Sequence, residues 1–230
     1  MIDVAQNAHL HFKYRLDYKT LLTPDKPLVY VLHGSQGDLL IDVGYRPHTK
    51  SIERWIRKEK LNLKWLFLTH GHFDHSYNTR YLQERFGCKI IVHEKDCQYL
   101  QGQPFRKLYP SAKEHKAITA AANAFSKAKV PGCDIDYCLT DADTDFLRSI
   151  GFDADIVMLP GHTLGSMGVL QEKVLYCGDA CSAKRGDYYT AMFGEDVDAI
   201  YASEKKIFEI NPLIIAPGHG QIIVNERHFA

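Results

Sequence analysis

Thr69-His70-Gly71-His72-Phe73-Asp74-His75 places three imidazoles and one carboxylate within six positions, directly after the apolar run Trp65-Leu66-Phe67-Leu68. A short apolar run that stops at such a cluster reads as a strand delivering metal ligands to its C-terminal end. Neutral imidazole and carboxylate are ligands that zinc, iron and manganese share. The alternating pair His70 and His72 is placed to face one metal, while Asp74 and His75 turn toward a neighbouring position. A polar surface tract is the plainer reading, but this cluster sits mid-chain at a strand end.

Three more apolar runs stop in the same way. Ile156-Val157-Met158-Leu159 leads into Pro160-Gly161-His162-Thr163, and Val174-Leu175-Tyr176-Cys177 into Gly178-Asp179. Leu213-Ile214-Ile215-Ala216 leads into Pro217-Gly218-His219-Gly220. Any one of these could be a loop residue or a helix cap. Four strands that each end on a ligand type form a set.

Composition points to a single domain with a sizeable core, 230 residues long and 45% hydrophobic. Lys+Arg and Asp+Glu both number 28, so the net charge is zero, which argues against a nucleic-acid partner. Apolar runs are of strand length, so no membrane span is expected. No N-terminal stretch combines a basic start, an apolar core and a cleavage site, and with the metal-ligand pattern this favours the cytoplasm. The six cysteines are read as buried or incidental thiols, with Cys181, two residues past Asp179, the one placed to sit near the metals.

Periodicity predicts strands over His9–Leu16, Leu28–His33 and Asp38–Asp42, the last two joined by Gly34-Ser35-Gln36-Gly37 as a hairpin. A helix over Ser51–Glu59 and the strand Trp65–Thr69 follow, then a helix over Asp74–Phe86 and a strand at Ile90–His93. Later strands fall at Asp155–Leu159, Ser166–Gln171, Val174–Cys177 and Leu213–Ala216, with a helix over Ala199–Ile210. Ala117–Lys129 favours helix by propensity. The stretch Gln101–Val130 reads as a solvated surface helix or, functionally, as a lid over the metals. Tyr188, Tyr189 and Phe193, just past Asp179, form a second candidate wall for a substrate.

The motifs His70-Gly71-His72-Phe73-Asp74-His75, Gly161-His162, Gly178-Asp179 and Pro217-Gly218-His219-Gly220, with Leu40-Ile41-Asp42-Val43-Gly44 upstream, together resemble the metallo-β-lactamase-fold superfamily of metallohydrolases. The resemblance implies an α+β fold, a four-layer αββα sandwich of two mixed β-sheets flanked by helices. It implies one metal on His70, His72 and His162, a second on Asp74, His75 and His219, and Asp179 bridging them. Asp42 would steady the ligand loop from behind. Two Zn2+ are the implied cofactors, with iron or manganese as substitutes.

The implied chemistry is attack by a metal-bridging hydroxide on an ester-like bond of a small molecule, with Asp74 orienting the nucleophile and passing a proton to the leaving group. Thioester and lactone are the leading substrate types, in a glyoxalase II or lactonase-like branch. Asp179 departs from true β-lactamases of this fold, which generally lack the bridging carboxylate. Eleven residues follow His219, short for the C-terminal helical region that holds glutathione in glyoxalase II. Ser182 stands where acyl-homoserine lactonases typically carry a tyrosine. The alternative reaction class is a mono-iron persulfide dioxygenase of the same fold. Sequence carries no signal for oligomeric state.

Overall fold

The computed structural model describes residues 17–20, 27–124, 129–184 and 187–225, with backbone alone at 17–20, 183–184 and 187–188. The strand expected at His9–Leu16 lies outside these residues. Along the chain run β1 (Asp17–Thr20), β2 (Leu28–Gly34), β3 (Gly37–Ile41), α1 (Thr49–Lys58), β4 (Leu63–Phe67), α2 (Phe73–Ser76), α3 (Thr79–Phe86) and β5 (Lys89–His93). The middle holds α4 (Cys97–Leu100), β6 (Tyr109–Pro110), α5 (Lys116–Ala124), β7 (Tyr137–Leu139) and α6 (Phe146–Ser149). The remainder comprises β8 (Asp155–Met158), β9 (Met167–Gln171), β10 (Val174–Gly178), β11 (Cys181–Lys184), β12 (Asp187–Thr190), β13 (Phe193–Gly194), α7 (Val197–Ile210), β14 (Ile214–Pro217) and β15 (Ile223–Val224).

Six strands form one sheet in the order β1-β2-β3-β4-β5-β7, and five form the other in the order β15-β14-β10-β9-β8. Both are mixed: β3, β4, β5 and β7 run parallel beside the antiparallel β1-β2-β3 meander, and β10 pairs β14 parallel but β9 antiparallel. The period of two along each strand assigns every side chain to a layer. Leu28, Tyr30, Leu32, Leu39, Ile41, Trp65, Phe67 and Ile91 face inward and meet Ile156, Met158, Val169, Tyr176, Ile214 and Ala216 of the second sheet. Their alternates Val29, Val31, Leu40, Leu66, Ile90 and Val92 face outward and pack on Ile52 and Ile56 of α1 and Leu82 of α3. On the far side Val157, Leu175, Cys177 and Ile215 pack on Ile207 of α7. Strands buried on both faces must be apolar throughout, which is why the runs lack polar alternation. The αββα sandwich implied by the resemblance is the fold observed.

One helix differs from expectation. The stretch Asp74–Phe86 breaks into α2 and α3, because the Asn78 amide donates to the Val43 and Tyr45 carbonyls, 2.9 and 3.0 Å away, instead of riding on a continuous helix. The Thr49 hydroxyl donates to the Asn78 carbonyl at 2.6 Å and holds the break against α1. The cysteine reading also needs correction. Cys97 is disulfide-bonded to Cys138, joining α4 to β7 across 41 positions, and Cys88, Cys133, Cys177 and Cys181 form no disulfide. The cysteines therefore give no argument for a reducing compartment. Among the described residues no helix is long and apolar enough to cross a membrane.

Glu53 welds α1 to α3. Its carboxylate accepts from the Tyr81 hydroxyl at 2.6 Å, Arg85 Nε at 3.0 Å and Arg57 Nε at 3.2 Å. The Tyr81 hydroxyl and then Arg85 hold this carboxyl down at about 2, against the pull of burial. A depressed carboxyl stabilises the fold above its unfolded value and loses that contribution as pH falls through the folded one. Glu53→Gln is therefore expected to melt below the parent chain at pH 7. That gap should narrow from about pH 4.5 and close near about pH 2, and thermal melts across this range check it.

Candidate metal centre

All four ligand-bearing turns meet at one edge of the sandwich, because β4, β8, β10 and β14 all end there. Backbone bonds lock the turns to one another. Met167 N donates to Thr69 O at 2.8 Å, Gly218 N to Gly178 O at 2.8 Å, and Leu28 N to Gly218 O at 2.8 Å. Gly178 has φ +53°, and a Cβ there would meet Thr69 Oγ1 at 2.5 Å, so only glycine lets the Asp179 turn lie against the histidine loop. Gly161, at φ +135°, abuts Ile200 N of α7 at 2.4 Å from where its Cβ would stand.

His70, His72 and His162 offer ligand atoms within 4.8 Å of one another, and so do Asp74, His75 and His219. These are the two trios implied by the sequence. A third grouping, His70, His75 and Asp179, links them. Asp179 stands between the trios: its Oδ2 lies 3.5 Å from His162 Nε2 and 3.6 Å from His219 Nε2, and its Oδ1 lies 3.3 Å from His75 Nε2.

The partners of each ring set its tautomer. His162 Nδ1 lies 3.0 Å from Phe193 O, which can only accept, so Nε2 keeps its lone pair. The Thr69 hydroxyl gives its hydrogen to Asp42 Oδ2 at 2.8 Å and so receives His70 Nδ1–H at 3.1 Å. That leaves His70 Nε2 as a lone pair, buried and without a hydrogen-bond partner. His72 Nδ1 faces His162 Nε2 at 3.0 Å, and His75 Nε2 faces His219 Nε2 at the same distance. Nitrogens brought this close with a buried, unpartnered imidazole nitrogen beside them fit ligands converging on a shared cation.

The electrostatics agree. Burial pushes His70 well below its ordinary value and His72 down to about 3, with neighbouring imidazoles adding to it, so both are neutral as ligands must be. In the second trio burial pulls the imidazoles down but is outweighed. Asp179, Asp42 and Asp74 raise His75, while Asp179 and a hydrogen bond donated to Asp74 raise His219 to about 9. Against burial, His75 and His219 in turn hold Asp74 low, and His219 and His75 do the same for Asp179. Protons sit here where buried carboxylates call for a divalent cation.

Asp42 lies 2% exposed behind the cluster and accepts from Thr69 N, Thr69 Oγ1 and His75 Nδ1, each at 2.8 Å. Phe193 lines the cavity beside the ligands with Phe105, Arg106, Leu108 and Ala122, which belong to the Gln101–Val130 stretch. Tyr189 is 37% exposed on β12 and does not line that cavity, and the Tyr188 side chain lies outside the described residues.

Sequence reasoning missed Asp96 and Glu195. Asp96, fully buried, accepts from Gly71 N at 2.9 Å, Gly165 N at 3.2 Å and the Thr163 hydroxyl at 2.7 Å. One carboxylate thus clamps both turns that carry the first trio. Burial pushes it up to about 6, and Glu195 adds to the rise, against the pull of its donors and Arg106. Glu195 accepts from Leu164 N and Arg106 Nη1, both at 2.9 Å, and from the Tyr99 hydroxyl. Neither residue sits in a ligand motif. The one sequence signal was a carboxylate three residues beyond the strand-ending His93.

A profile described as the Metallo-beta-lactamase superfamily matches residues 22–219. The chain is 31% identical over 181 residues to Hydroxyacylglutathione hydrolase GloC of Haemophilus influenzae, covering 72% of each. It is 29% identical over 157 residues to Probable metallo-hydrolase MJ0888 of Methanocaldococcus jannaschii, covering 67% of this chain and 68% of that one. In fold it resembles the BLEG-1 B3 metallo-beta-lactamase, with TM-score 0.65 and 22% identity over 92% of this chain and 96% of that one. TTHA1623 in a di-iron-bound form is similar in fold, with TM-score 0.65 and 23% identity over 90% of this chain and 93% of that one.

Removing the clamp tests it. Asp96→Ala strands two buried N–H groups, at about 1–3 kcal/mol each, while the Thr163 hydroxyl keeps Ser166 Oγ at 2.9 Å. Urea unfolding is expected to show a loss of about 3 kcal/mol or more. Competition with a chromophoric chelator should show metal affinity reduced about 10–100-fold. Parent-like stability and affinity would mean the turns are held by their backbone bonds alone.

Proposed function

This chain belongs to the metallo-β-lactamase superfamily, and from that premise we propose that it is a dinuclear metal-dependent hydrolase of an ester-like bond, a thioester or a lactone, in a small molecule. The observation that carries the reading is the pair of ligand trios with Asp179 between them. A mononuclear site would leave Asp74, His75 and His219 assembled for no purpose. Relatives described as a hydroxyacylglutathione hydrolase and a probable metallo-hydrolase support the reaction class.

His70, His72 and His162 would hold one ion and Asp74, His75 and His219 the other, with Asp179 shared. Bound there, two divalent ions supply Lewis acidity that brings the pKa of water down toward about 7 and polarises a carbonyl oxygen. Zinc suits this donor set, and the di-iron form of TTHA1623 shows that the fold also carries iron. The protein's share is orientation and proton handling. Asp42 fixes His75 by accepting its Nδ1–H, and the Phe193 carbonyl does the same for His162. Asp74 lines the cavity, so its carboxylate takes the proton of the attacking water and hands it to the departing thiolate or alkoxide. Aromatic rings on the opposite wall exclude bulk water.

Two tests decide. Elemental mass spectrometry of the purified, untagged protein is expected to find close to two zinc or manganese per chain. About one iron per chain, with oxygen uptake on a persulfide, would replace this reading with a dioxygenase. Asp179→Ala and His162→Ala are each expected to cut thioester or lactone turnover by at least about 100-fold while circular dichroism stays native. Retained turnover with verified metal content would overturn the mechanism.

A further inference from the structure

We propose that the cavity beside the ligand cluster recognises an apolar acyl or aryl substituent, which makes the substrate class apolar acyl esters and thioesters rather than acyl donors read through carboxylates. This rests on the hydrolase reading above and adds the part of the substrate that is bound. The cleft encloses about 610 Å³, counting the part open to solvent. One wall is the cluster itself, through His72, Asp74, His162 and Asp179. The other is Phe73, Phe105, Leu108, Ala122 and Phe193.

Apolar surface continues right up to the ligands. The Phe105 ring stands edge-on to His72 at 5.2 Å between centroids, and the Phe193 ring lies 5.5 Å from His162. Phe105 is itself backed by Tyr99 at 5.0 Å, so this wall is a packed layer. A group attached directly to the reacting carbonyl meets these rings first.

Charge on the wall is already spent. Among the described lining residues Arg106 carries the one permanent positive charge. Its Nη1 donates to Glu195 at 2.9 Å and its Nη2 to the Lys95 carbonyl at 2.7 Å, while its plane lies over the Tyr99 ring. The Glu195 side chain is 2% exposed and the Arg106 side chain 34%, so the carboxylate end of the pair is internal and the guanidinium is held against it at the cavity side. Away from the ligand cluster, on the wall formed by Phe73, Phe105, Leu108, Ala122 and Phe193, a substrate carboxylate would find Arg106 already committed to Glu195 and would lose hydration for little in return. A methylene entering the same space gains what apolar burial gives, about a fourfold rise in kcat/KM for each one held in the transition state.

The experiment uses the metal-loaded enzyme and thioesters of the neutral thiol N-acetylcysteamine, from acetyl to octanoyl, beside S-lactoylglutathione. The expected kcat/KM rises on the order of 100-fold from acetyl to hexanoyl, and hexanoyl exceeds S-lactoylglutathione. Ala122→Phe narrows the cavity and is expected to lower the hexanoyl-to-acetyl ratio at least about tenfold, and Phe105→Ala to flatten the series. A flat or reversed series, or preference for S-lactoylglutathione, overturns the apolar-substituent inference and leaves the hydrolase standing. No turnover of any thioester or lactone by the two-metal enzyme overturns the hydrolase reading and this inference with it.

Discussion

The centre depends on one buried carboxylate in an unfavourable backbone conformation. Asp42 has φ +60°, a left-handed value that costs a non-glycine residue about 1–3 kcal/mol. Three donors aimed at its side chain, and its own N–H bonded to Phe67 O at 2.9 Å, hold it there. Through them the end of β3 dictates where the β4 loop turns and which nitrogen His75 turns to the cluster. Thr69 passes the constraint on, since a hydroxyl committed to Asp42 can only accept from His70. Two ligands from one loop therefore take their orientation from a residue about thirty positions earlier.

A second carboxylate pair serves the other side and links it to the cavity wall. Asp96 joins the turns of the first trio, and Glu195 joins Leu164 to Arg106 and Tyr99. Arg106 is both a wall residue and part of this network, so the apolar wall and the ligand turns share a foundation. Carboxylates this deep are tolerable only because nearly every lone pair meets a donor.

The sandwich was legible because four strands announce themselves twice, by an apolar run and by the ligand type that ends it, and their motifs together resemble one family. The resemblance implies the two trios, and the structure brings their residues together because β4, β8, β10 and β14 end at one edge of the sandwich. Other features were invisible for physical reasons. Asn78 breaks a helix through contacts with Val43 and Tyr45, more than thirty positions away, and local propensity carries no trace of them. Cys97 and Cys138 pair through the sheet order, which no spacing rule supplies. Asp96 looks like any loop aspartate until the two turns it clamps are folded against it. Phe193 was reached from its nearness to Asp179, yet Tyr189 shares that nearness and points elsewhere.

The ligands are drawn from the whole length of the chain, from His70 to His219, a span of 149 positions. A ribosome has released the first histidine loop long before the last imidazole exists. Half-made chains offer at most partial chelates, and the second sheet closes only when β14 slots beside β10. Metal bound by both trios would therefore reward completion, stabilising the finished fold more than its precursors. A chain cut before β14 lacks His219 and so holds no complete pair of trios.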